Sequence, residues 1–197
     1  MEPWLTYAWY FFLYSALGWC GEVIFAAIKN GGFVNRGFLC GPLCPIYGSG
    51  LVLVLWALEP LQNNLLWLYL ASAALTTLIE LVTGFAMEKL FHHRWWDYSR
   101  MPLNIGGYVC LPFSLLWGVA CVAIVKLLHP PVARLVAMIP HDWSLALLGA
   151  FTALFVLDLV VTIMNVCKLN RTLAQLDDLT RRLRGVSDAV GGALAEG

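Results

Sequence analysis

The sequence predicts an all-α integral membrane protein, and three observations support this fold class. Hydrophobic residues make up 60% of the 197 positions and charged residues only 12%, which leaves too little polar surface to cover a water-soluble globule. The mean hydropathy is +0.76. Windows of about 20 apolar residues, the length needed to cross a hydrocarbon core of roughly 30 Å, recur along the chain. A net charge of zero argues against a nucleic-acid-binding protein, which would carry a basic face.

Five membrane spans are predicted, at residues 4–28, 42–58, 65–91, 108–128 and 143–167. The first is too long for the apolar region of a signal peptide and has no basic segment before it, so we expect it to stay as an anchor. The second is short and opens with Gly41, Pro42 and Pro45, which predicts that it enters the membrane as irregular backbone. The proline-rich stretch 129–142 is expected to be an outer connection in which His129 is solvated.

Lys and Arg residues predict the orientation, because short cytoplasmic loops retain them. If the N terminus lies outside, five spans leave the C terminus in the cytoplasm. Of the 12 Lys and Arg residues, only Lys126 and Arg134 then fall toward the outer side, which leaves ten on the cytoplasmic side. The predicted location is a bacterial plasma membrane, crossed several times, with membrane lipids as the first partners.

The segment after Lys168 changes in composition and predicts a cytoplasmic amphipathic helix. Leucines recur every three or four residues from Leu169 to Leu183, among Arg, Asp and Thr. We therefore expect a transmembrane bundle at residues 1–167 and a helical tail at 168–197. The tail could be solvated, lie on the anionic inner leaflet or pair with a second copy in a homodimer, and the sequence leaves these alternatives open.

Two parts of the membrane bundle resemble each other and predict two helical hairpins related as parallel repeats, followed by a fifth helix. Asn35-Arg-Gly-Phe-Leu-Cys-Gly-Pro and a later Tyr-Gly correspond, with one insertion, to Asn104-Ile-Gly-Gly-Tyr-Val-Cys-Leu-Pro and a later Trp-Gly. Upstream, Ser15–Glu22 aligns with Ser72–Glu80. Because both hairpins run in the same direction, the implied symmetry axis lies along the membrane normal, and a site between the halves is expected. Chance similarity among apolar segments is the alternative.

Four acidic residues within the predicted spans are the strongest candidates for a functional site: Glu22, Glu80, Glu88 and Asp158. An ionisable residue near the centre of a span costs roughly 2.5–3.5 kcal/mol, so it usually faces a partner or a cavity. Glu80, Gly84 and Glu88 follow one another at intervals of four, which places both carboxylates on one helix face. They predict a ligand, ion or proton site. The alternative is that the acids pair with arginines and hold the loops against the bundle.

The loop from His92 to Arg100 is dense in aromatic and charged residues. Trp and Tyr at a membrane edge are commonly interfacial anchors, but they could also form a lid over a polar cavity. We expect a cavity that opens to the cytoplasm and contains the four acids. The residues expected to shape its mouth and contribute to substrate binding are Asn35, Arg36, Trp95, Trp96, Asp97, Tyr98 and Asn104.

Several of these motifs together make the chain similar to a known family. They are Gly18-Trp-Cys-Gly-Glu22, Phe33–Gly48, Trp95–Ser99 with Asn104, and Leu116–Gly118. The chain resembles the ABC-transporter type IV, permease-like, family of bacterial membrane proteins over residues from about 10 to 158. The resemblance implies a permease-like or solute-binding subunit for a small molecule or ion. A separate ATPase or another membrane subunit would be needed, because no Gly-x-x-x-x-Gly-Lys-Ser/Thr phosphate loop is present.

Two other classes of function stay open. Carboxylates beside His or Tyr at a membrane surface could act as general acid and base on a lipid or isoprenoid, and Glu88 and His92 are four residues apart. No nucleophile elbow or zincin helix frames them, so an enzyme is the less favoured interpretation and no catalytic residue is assigned. A non-catalytic assembly or regulatory protein is the other class. We expect no cofactor and no metal, because Cys40-x3-Cys44 is not a standard zinc pair.

Overall fold

The computed structural model describes the backbone of residues 2–195, and all side chains in that range except those at 174, 177, 178, 182 and 185–195. The helices are α1 (Pro3–Asn30), α2 (Pro45–Ala57), α3 (Leu65–Phe91), α4 (Leu111–Ala123), α5 (His129–Ala137) and α6 (His141–Ala195). A 3-10 turn spans Glu59–Leu61 and a π-helical turn spans Ile124–Leu128. Two short strands, β1 (Asn104–Ile105) and β2 (Val109–Cys110), pair antiparallel in the loop between α3 and α4.

Within the described part of the chain, four helical segments are long and apolar enough to cross a membrane: Pro3–Asn30, Leu65–Phe91, Leu111–Ala137 and His141–Leu173. Only 11–22% of the residues in their most apolar windows are buried inside the protein, so most of their large apolar side chains point outward. An apolar outer surface of this extent suits lipid rather than water. The structure therefore agrees with the predicted class, an all-α membrane protein.

The second predicted span contains a helix of only 13 residues, α2. At 1.5 Å per residue it is about 20 Å long, which is shorter than a bilayer core of roughly 30 Å. The 31–44 segment before it is irregular. Gly31 ends α1 with a positive φ of 73°, a conformation that glycine adopts without strain, and Pro45 starts α2, where its fixed φ suits a first helical turn.

The fourth helical segment is longer than predicted and continues beyond residue 128. The chain stays helical through the π-helical turn and α5. Pro130 and Pro131 lack the N–H groups that would bond to the preceding turn, and the wider π-helical turn directly before them accommodates this loss. The predicted fourth span, 108–128, therefore ends before this helical segment does, at Ala137, and Val132 and Val136 of α5 are buried. The outer location of residues 129–142 stays a prediction.

Residues up to Leu159 form one compact unit, in which α1 packs mainly on α2 and α3 mainly on α4. Its hydrophobic core lies at the end where α1 begins and combines side chains from all six helices and the π-helical turn. The Trp9 indole donates a 2.7 Å hydrogen bond to the buried Ser144 hydroxyl, which ties α6 to α1. The polar candidates lie at the opposite end, beside the 31–44 segment and the 92–110 loop.

Residues from Val160 onward form a second compact unit, which is the remainder of helix α6. The leucines predicted to form its apolar face are at least half exposed: Leu169, Leu173, Leu176, Leu179 and Leu183. Side chains beyond 184 lie outside the described part, so the predicted tail, 168–197, is only partly covered by these observations.

Candidate functional site

Glu80 is the most deeply buried acid among the candidate residues. It lies in α3 and is 8% exposed. Its Oε1 accepts a 3.1 Å hydrogen bond from the Tyr98 hydroxyl, while Oε2 is buried and makes no hydrogen bond to any residue that the structure describes. The Trp117 indole lies beside the same carboxylate as a further possible donor. A buried acid with an unpaired oxygen is costly, which makes Oε2 a place where a ligand group or a proton would be stabilised.

No described Lys or Arg side chain forms an ion pair with Glu80; the ion pairs observed join Arg36 to Glu22 and Arg94 to Glu88 and Asp97. The phenol of Tyr98 is a neutral donor, because burial and then the neighbouring Glu80 charge raise the pKa of this loop tyrosine. The Glu80 carboxylate therefore has hydrogen-bonding neighbours but no neutralising charge within the described chain.

Glu22 is the corresponding acid in the first hairpin. The Tyr47 hydroxyl of α2 donates a 2.5 Å hydrogen bond to its Oε1, and an Arg36 guanidinium nitrogen lies 3.6 Å from Oε2. Gly18, one turn before Glu22, has no side chain and leaves room for the Tyr47 ring, since a Cβ there would overlap ring atoms. Glu22 is thus partly neutralised by a loop arginine, in contrast to Glu80.

The two hairpins meet through their aromatic residues. The rings of Tyr47 and Trp117 are 5.8 Å apart at 73°, an edge-to-face contact that joins α2 to α4. Tyr98 stacks on Phe113 of α4 with 4.9 Å between centroids, which holds its hydroxyl toward Glu80. We call Glu22, Tyr47, Glu80, Tyr98 and Trp117 the paired-glutamate cluster.

The two hairpins share further details at the positions that the sequence alignment pairs. Ser15 of α1 and Ser72 of α3 are both fully buried, and neither hydroxyl has a hydrogen-bond partner among the described residues. Gly48 lies against Ser15, and Gly118 lies against Ala73 beside Ser72. In each hairpin a glycine therefore allows the two helices to approach closely, about two turns from the glutamate.

Asn35 and Asn104 have the same structural task in their loops. Asn35 Oδ1 accepts a 3.0 Å hydrogen bond from the N–H of Gly37, and its amide donates to the carbonyls of residues 39 and 40. Asn104 Oδ1 accepts a 3.1 Å bond from the N–H of Gly107, and its amide donates to the carbonyls of residues 99 and 101. Both side chains fold their own loop, and a contact of either with a ligand stays a prediction.

Glu88 is held by Arg94. The guanidinium donates bonds of 2.7 and 3.3 Å to the two carboxylate oxygens, and a third bond of 3.1 Å goes to the Gly106 carbonyl. The pKa of Arg94 is raised, chiefly by its hydrogen bond to Glu88. Arg94 also lies over the Tyr108 ring, 4.9 Å from its centre. This arrangement fixes the 92–110 loop on α3, which is what the structural alternative predicts for this acid.

The remaining aromatic and acidic residues of the 92–110 loop mainly organise the loop itself. The Trp96 indole donates 2.8 Å to the Tyr108 carbonyl, and Gly84 of α3 leaves space for both rings. Trp95 packs against Phe91 and Phe38.

Asp97 lies within the same loop, and its side chain bonds to a residue two positions further along that loop. Its Oδ1 accepts from both the hydroxyl and the N–H of Ser99. These bonds lower the pKa of Asp97 below the ordinary aspartate value, and the hydroxyl bond has a larger effect than the backbone bond.

Asp158 secures the other loop. Its two carboxylate oxygens accept hydrogen bonds of 3.2 and 2.9 Å from the N–H groups of Cys40 and Gly41. These contacts bring α6 to the irregular segment before α2, more than 100 positions away in sequence. They place Asp158 at the same end of the unit as the paired-glutamate cluster, and its predicted contact with a ligand stays a prediction.

The sequence analysis did not predict two residues of the cluster, Tyr47 and Trp117, as site residues. The signal for both is the alignment of the two repeats, in which Tyr47-Gly48 corresponds to Trp117-Gly118. The same alignment pairs Glu22 with Glu80. Since Tyr47 bonds to Glu22, the alignment also indicates that the aromatic residue of each hairpin lies beside its glutamate.

The fold and the cluster define a helical membrane protein with polar residues gathered at one end of an apolar bundle. Residues 9–163 match the family model described as "Putative ABC-transporter type IV". Because the match covers well over half of the chain, the protein belongs to this family. No curated protein and no solved structure matches the chain.

Proposed function

We propose that the protein is a permease-like or solute-binding membrane subunit whose polar cavity, open to the cytoplasm, holds a small molecule or ion at the paired-glutamate cluster. The single observation that supports this most is Glu80, because Oε2 is buried without a hydrogen-bond partner among the described residues. Retaining an ionisable group in an apolar bundle costs free energy, and such groups commonly mark a ligand, ion or proton site. A bound cation, a protonated ligand or a hydrogen-bond donor would recover it.

The proposed site extends from Glu80 to the other candidate residues at the same end of the unit. Glu22 offers a second carboxylate, and Tyr47, Tyr98 and Trp117 offer two hydroxyls and an indole. Carboxylates and aromatic faces with few neutralising cations favour a ligand that carries a positive charge or several donors. We propose that Asn35, Arg36, Glu88, Trp95, Trp96, Asp97, Asn104 and Asp158 shape the mouth through the loops they hold.

The proposed topology has five spans, with the N terminus outside and the C terminus in the cytoplasm of a bacterium. In this arrangement residues 42–58, which comprise α2 and the last residues of the irregular 31–44 segment, make the second crossing, and protein would shield the irregular backbone at that depth. The distribution of Lys and Arg supports this orientation. The domain division proposed with it is a transmembrane bundle, 1–167, and a cytoplasmic tail, 168–197.

We further propose that α1–α2 and α3–α4 are parallel repeats around the site. The paired serines, glutamates, aromatic residues and loop asparagines support this. The chain carries no phosphate-binding loop, so a transport cycle driven by ATP would need a separate ATPase. Related repeats placed around one site provide a route to alternating exposure of that site.

The experiment that tests this function compares small molecules that co-purify with the solubilised wild-type protein and with Glu80→Gln, identified by mass spectrometry. Glutamine keeps the size of the side chain and removes its charge. Asp142→Asn is the matched control, because it removes an exposed acid from the start of α6. Circular dichroism and size-exclusion profiles verify that all three proteins are folded.

A species found with wild type and with Asp142→Asn, but not with Glu80→Gln, supports the site and names the class of ligand. That species should also raise the unfolding temperature of wild type and not that of Glu80→Gln. If Glu80→Gln keeps the same species and the full thermal response, the proposed site is wrong.

A further inference from the structure

An open cavity lies at the end of the first unit where α1 begins, opposite the end that holds the paired-glutamate cluster. Its volume is about 430 Å³, within the range of small-molecule sites. The lining comes from the first turns of α1, the end of α2, the 3-10 turn and the start of α5. The residues used in the argument below are Tyr7, Tyr10, Glu59, Gln62 and His129.

Three aromatic rings form adjoining walls of this cavity. Tyr7 and Tyr10 meet edge to face, with 6.0 Å between centroids and 85° between planes. Tyr10 and His129 meet in the same way at 4.8 Å and 78°. The three rings pack directly on one another and give the cavity a continuous aromatic wall, the kind of surface against which ammonium groups bind.

These walls are fixed by the fold before any ligand enters. Tyr10 is 8% exposed, and the imidazole Nδ1 of His129 is 2.9 Å from the hydroxyl of Tyr14. The sequence predicts a solvated His129. In the structure the helix continues through this residue, and its ring packs against α1. A site whose groups are already ordered loses less entropy on binding.

The cavity also has a charge of one sign. Among the lining residues that the structure describes, Glu59 is the only Asp, Glu, Lys or Arg, and it lies in the 3-10 turn that follows α2. Gln62, from the next turn of the chain, and the tyrosine hydroxyls add neutral polar groups. Aromatic faces beside a single carboxylate, with no lysine or arginine in the lining, form a site complementary to a cation that is partly apolar.

We propose that this cavity binds a small organic cation, a quaternary ammonium or protonated amine, with the ammonium group against Tyr7 and Tyr10 and within the field of Glu59. The proposal does not depend on the function assigned to Glu80. Both a free solute and the headgroup of a membrane lipid could supply the ammonium group, so the test includes both sources.

The test measures binding of choline and of its uncharged isostere, 3,3-dimethyl-1-butanol, to the full chain in nanodiscs of phosphatidylglycerol, by isothermal titration. Choline should bind at least about 10-fold more tightly than the isostere, because only choline gains the cation–π and carboxylate interactions. Raising the ionic strength should weaken the binding of choline alone.

Variants separate the aromatic and the electrostatic contributions. Glu59→Gln and Tyr7→Leu should each weaken choline binding by about 3- to 30-fold, whereas Tyr7→Phe, which keeps the ring, should stay within about 2-fold of wild type. Asp142→Asn, an exposed acid outside the lining, should bind as wild type does. The proposal is overturned if choline does not bind, if the isostere binds equally well, or if both Glu59→Gln and Tyr7→Leu bind choline normally.

A final arm identifies the source of the cation. Replacing part of the phosphatidylglycerol by phosphatidylethanolamine lowers the apparent affinity for choline if a lipid headgroup occupies the cavity, since the two would compete. An unchanged affinity assigns the cavity to a free solute.

Discussion

Gly48 marks the closest approach of α1 and α2, and its replacement by alanine tests how the first hairpin packs. A Cβ at this position would overlap the Ser15 hydroxyl and the backbone carbonyl of Phe11 at separations that real Cβ atoms do not have. A carbonyl fixed in a helix cannot rotate away. The two helices would therefore have to separate, which would also disturb the hydrogen bond between Tyr47 and Glu22.

The magnitude follows from two opposing contributions to the free energy of unfolding. Overpacking typically costs about 1–3 kcal/mol, and a backbone obstacle favours the upper end, about 3 kcal/mol. Alanine in place of glycine within a helix returns roughly 1 kcal/mol. Gly48→Ala should therefore lose about 2 kcal/mol, or about a 30-fold shift in the unfolding equilibrium.

The matched control is two residues further along the same helix. A Cβ at Gly50 would meet no atom within 4 Å, so Gly50→Ala should keep the gain in helix propensity and become more stable by about 0.5–1 kcal/mol. Both variants can be compared by unfolding the solubilised protein in increasing sodium dodecyl sulfate, followed by circular dichroism. Equal stability of the two variants, or a stabilised Gly48→Ala, would refute the close contact.

Two further predictions concern the loops. Asp158→Asn keeps one acceptor oxygen but loses the charged carboxylate that accepts from the N–H groups of Cys40 and Gly41. The free energy of unfolding, measured in sodium dodecyl sulfate as above, should fall by about 1–2 kcal/mol. An unchanged value would mean that these bonds contribute no net stability. The pKa of Asp97 is lowered by Ser99, so its contribution to stability is present above the ordinary value of about 3.9 and is lost as the pH falls through the lower, folded value. Carboxyl carbon-13 titration should show this low midpoint, and Ser99→Ala should raise it; a midpoint that does not move would contradict the assigned hydrogen bond.

Sequence patterns were informative where they reflect local physics. Apolar length predicts the membrane class, and the glycines and prolines between residues 31 and 45 predict the break before α2. The aligned asparagines predict two related loops, since each Asn bonds to nearby backbone groups whose positions are set by a few residues. In the same way, the spacing of Glu80, Gly84 and Glu88 predicts that they share one face of α3.

Long-range contacts could not be predicted in this way. The bonds from Cys40 and Gly41 to Asp158 join positions more than 100 residues apart, and no periodicity encodes them. The helix through Pro130 and Pro131 was missed because prolines usually end helices, and its continuation depends on a π-helical turn that sequence does not reveal. The same continuation places His129 against α1, where it lines the cavity at the start of that helix.

The four candidate acids differ in burial and in their partners, and only Glu80 is buried. Glu22 has an arginine within 4 Å, Glu88 has a bidentate arginine, and Asp158 has two backbone donors; in each case the partner belongs to a loop, so these acids hold the loops in place. Glu80 has only the neutral Tyr98 hydroxyl as its donor in the 92–110 loop. Because the Glu88 ion pair fixes that loop, it also fixes the position of the Tyr98 hydroxyl relative to Glu80. In the proposed function, Glu22, Glu88 and Asp158 thus maintain the geometry in which Oε2 of Glu80 is left available to a ligand.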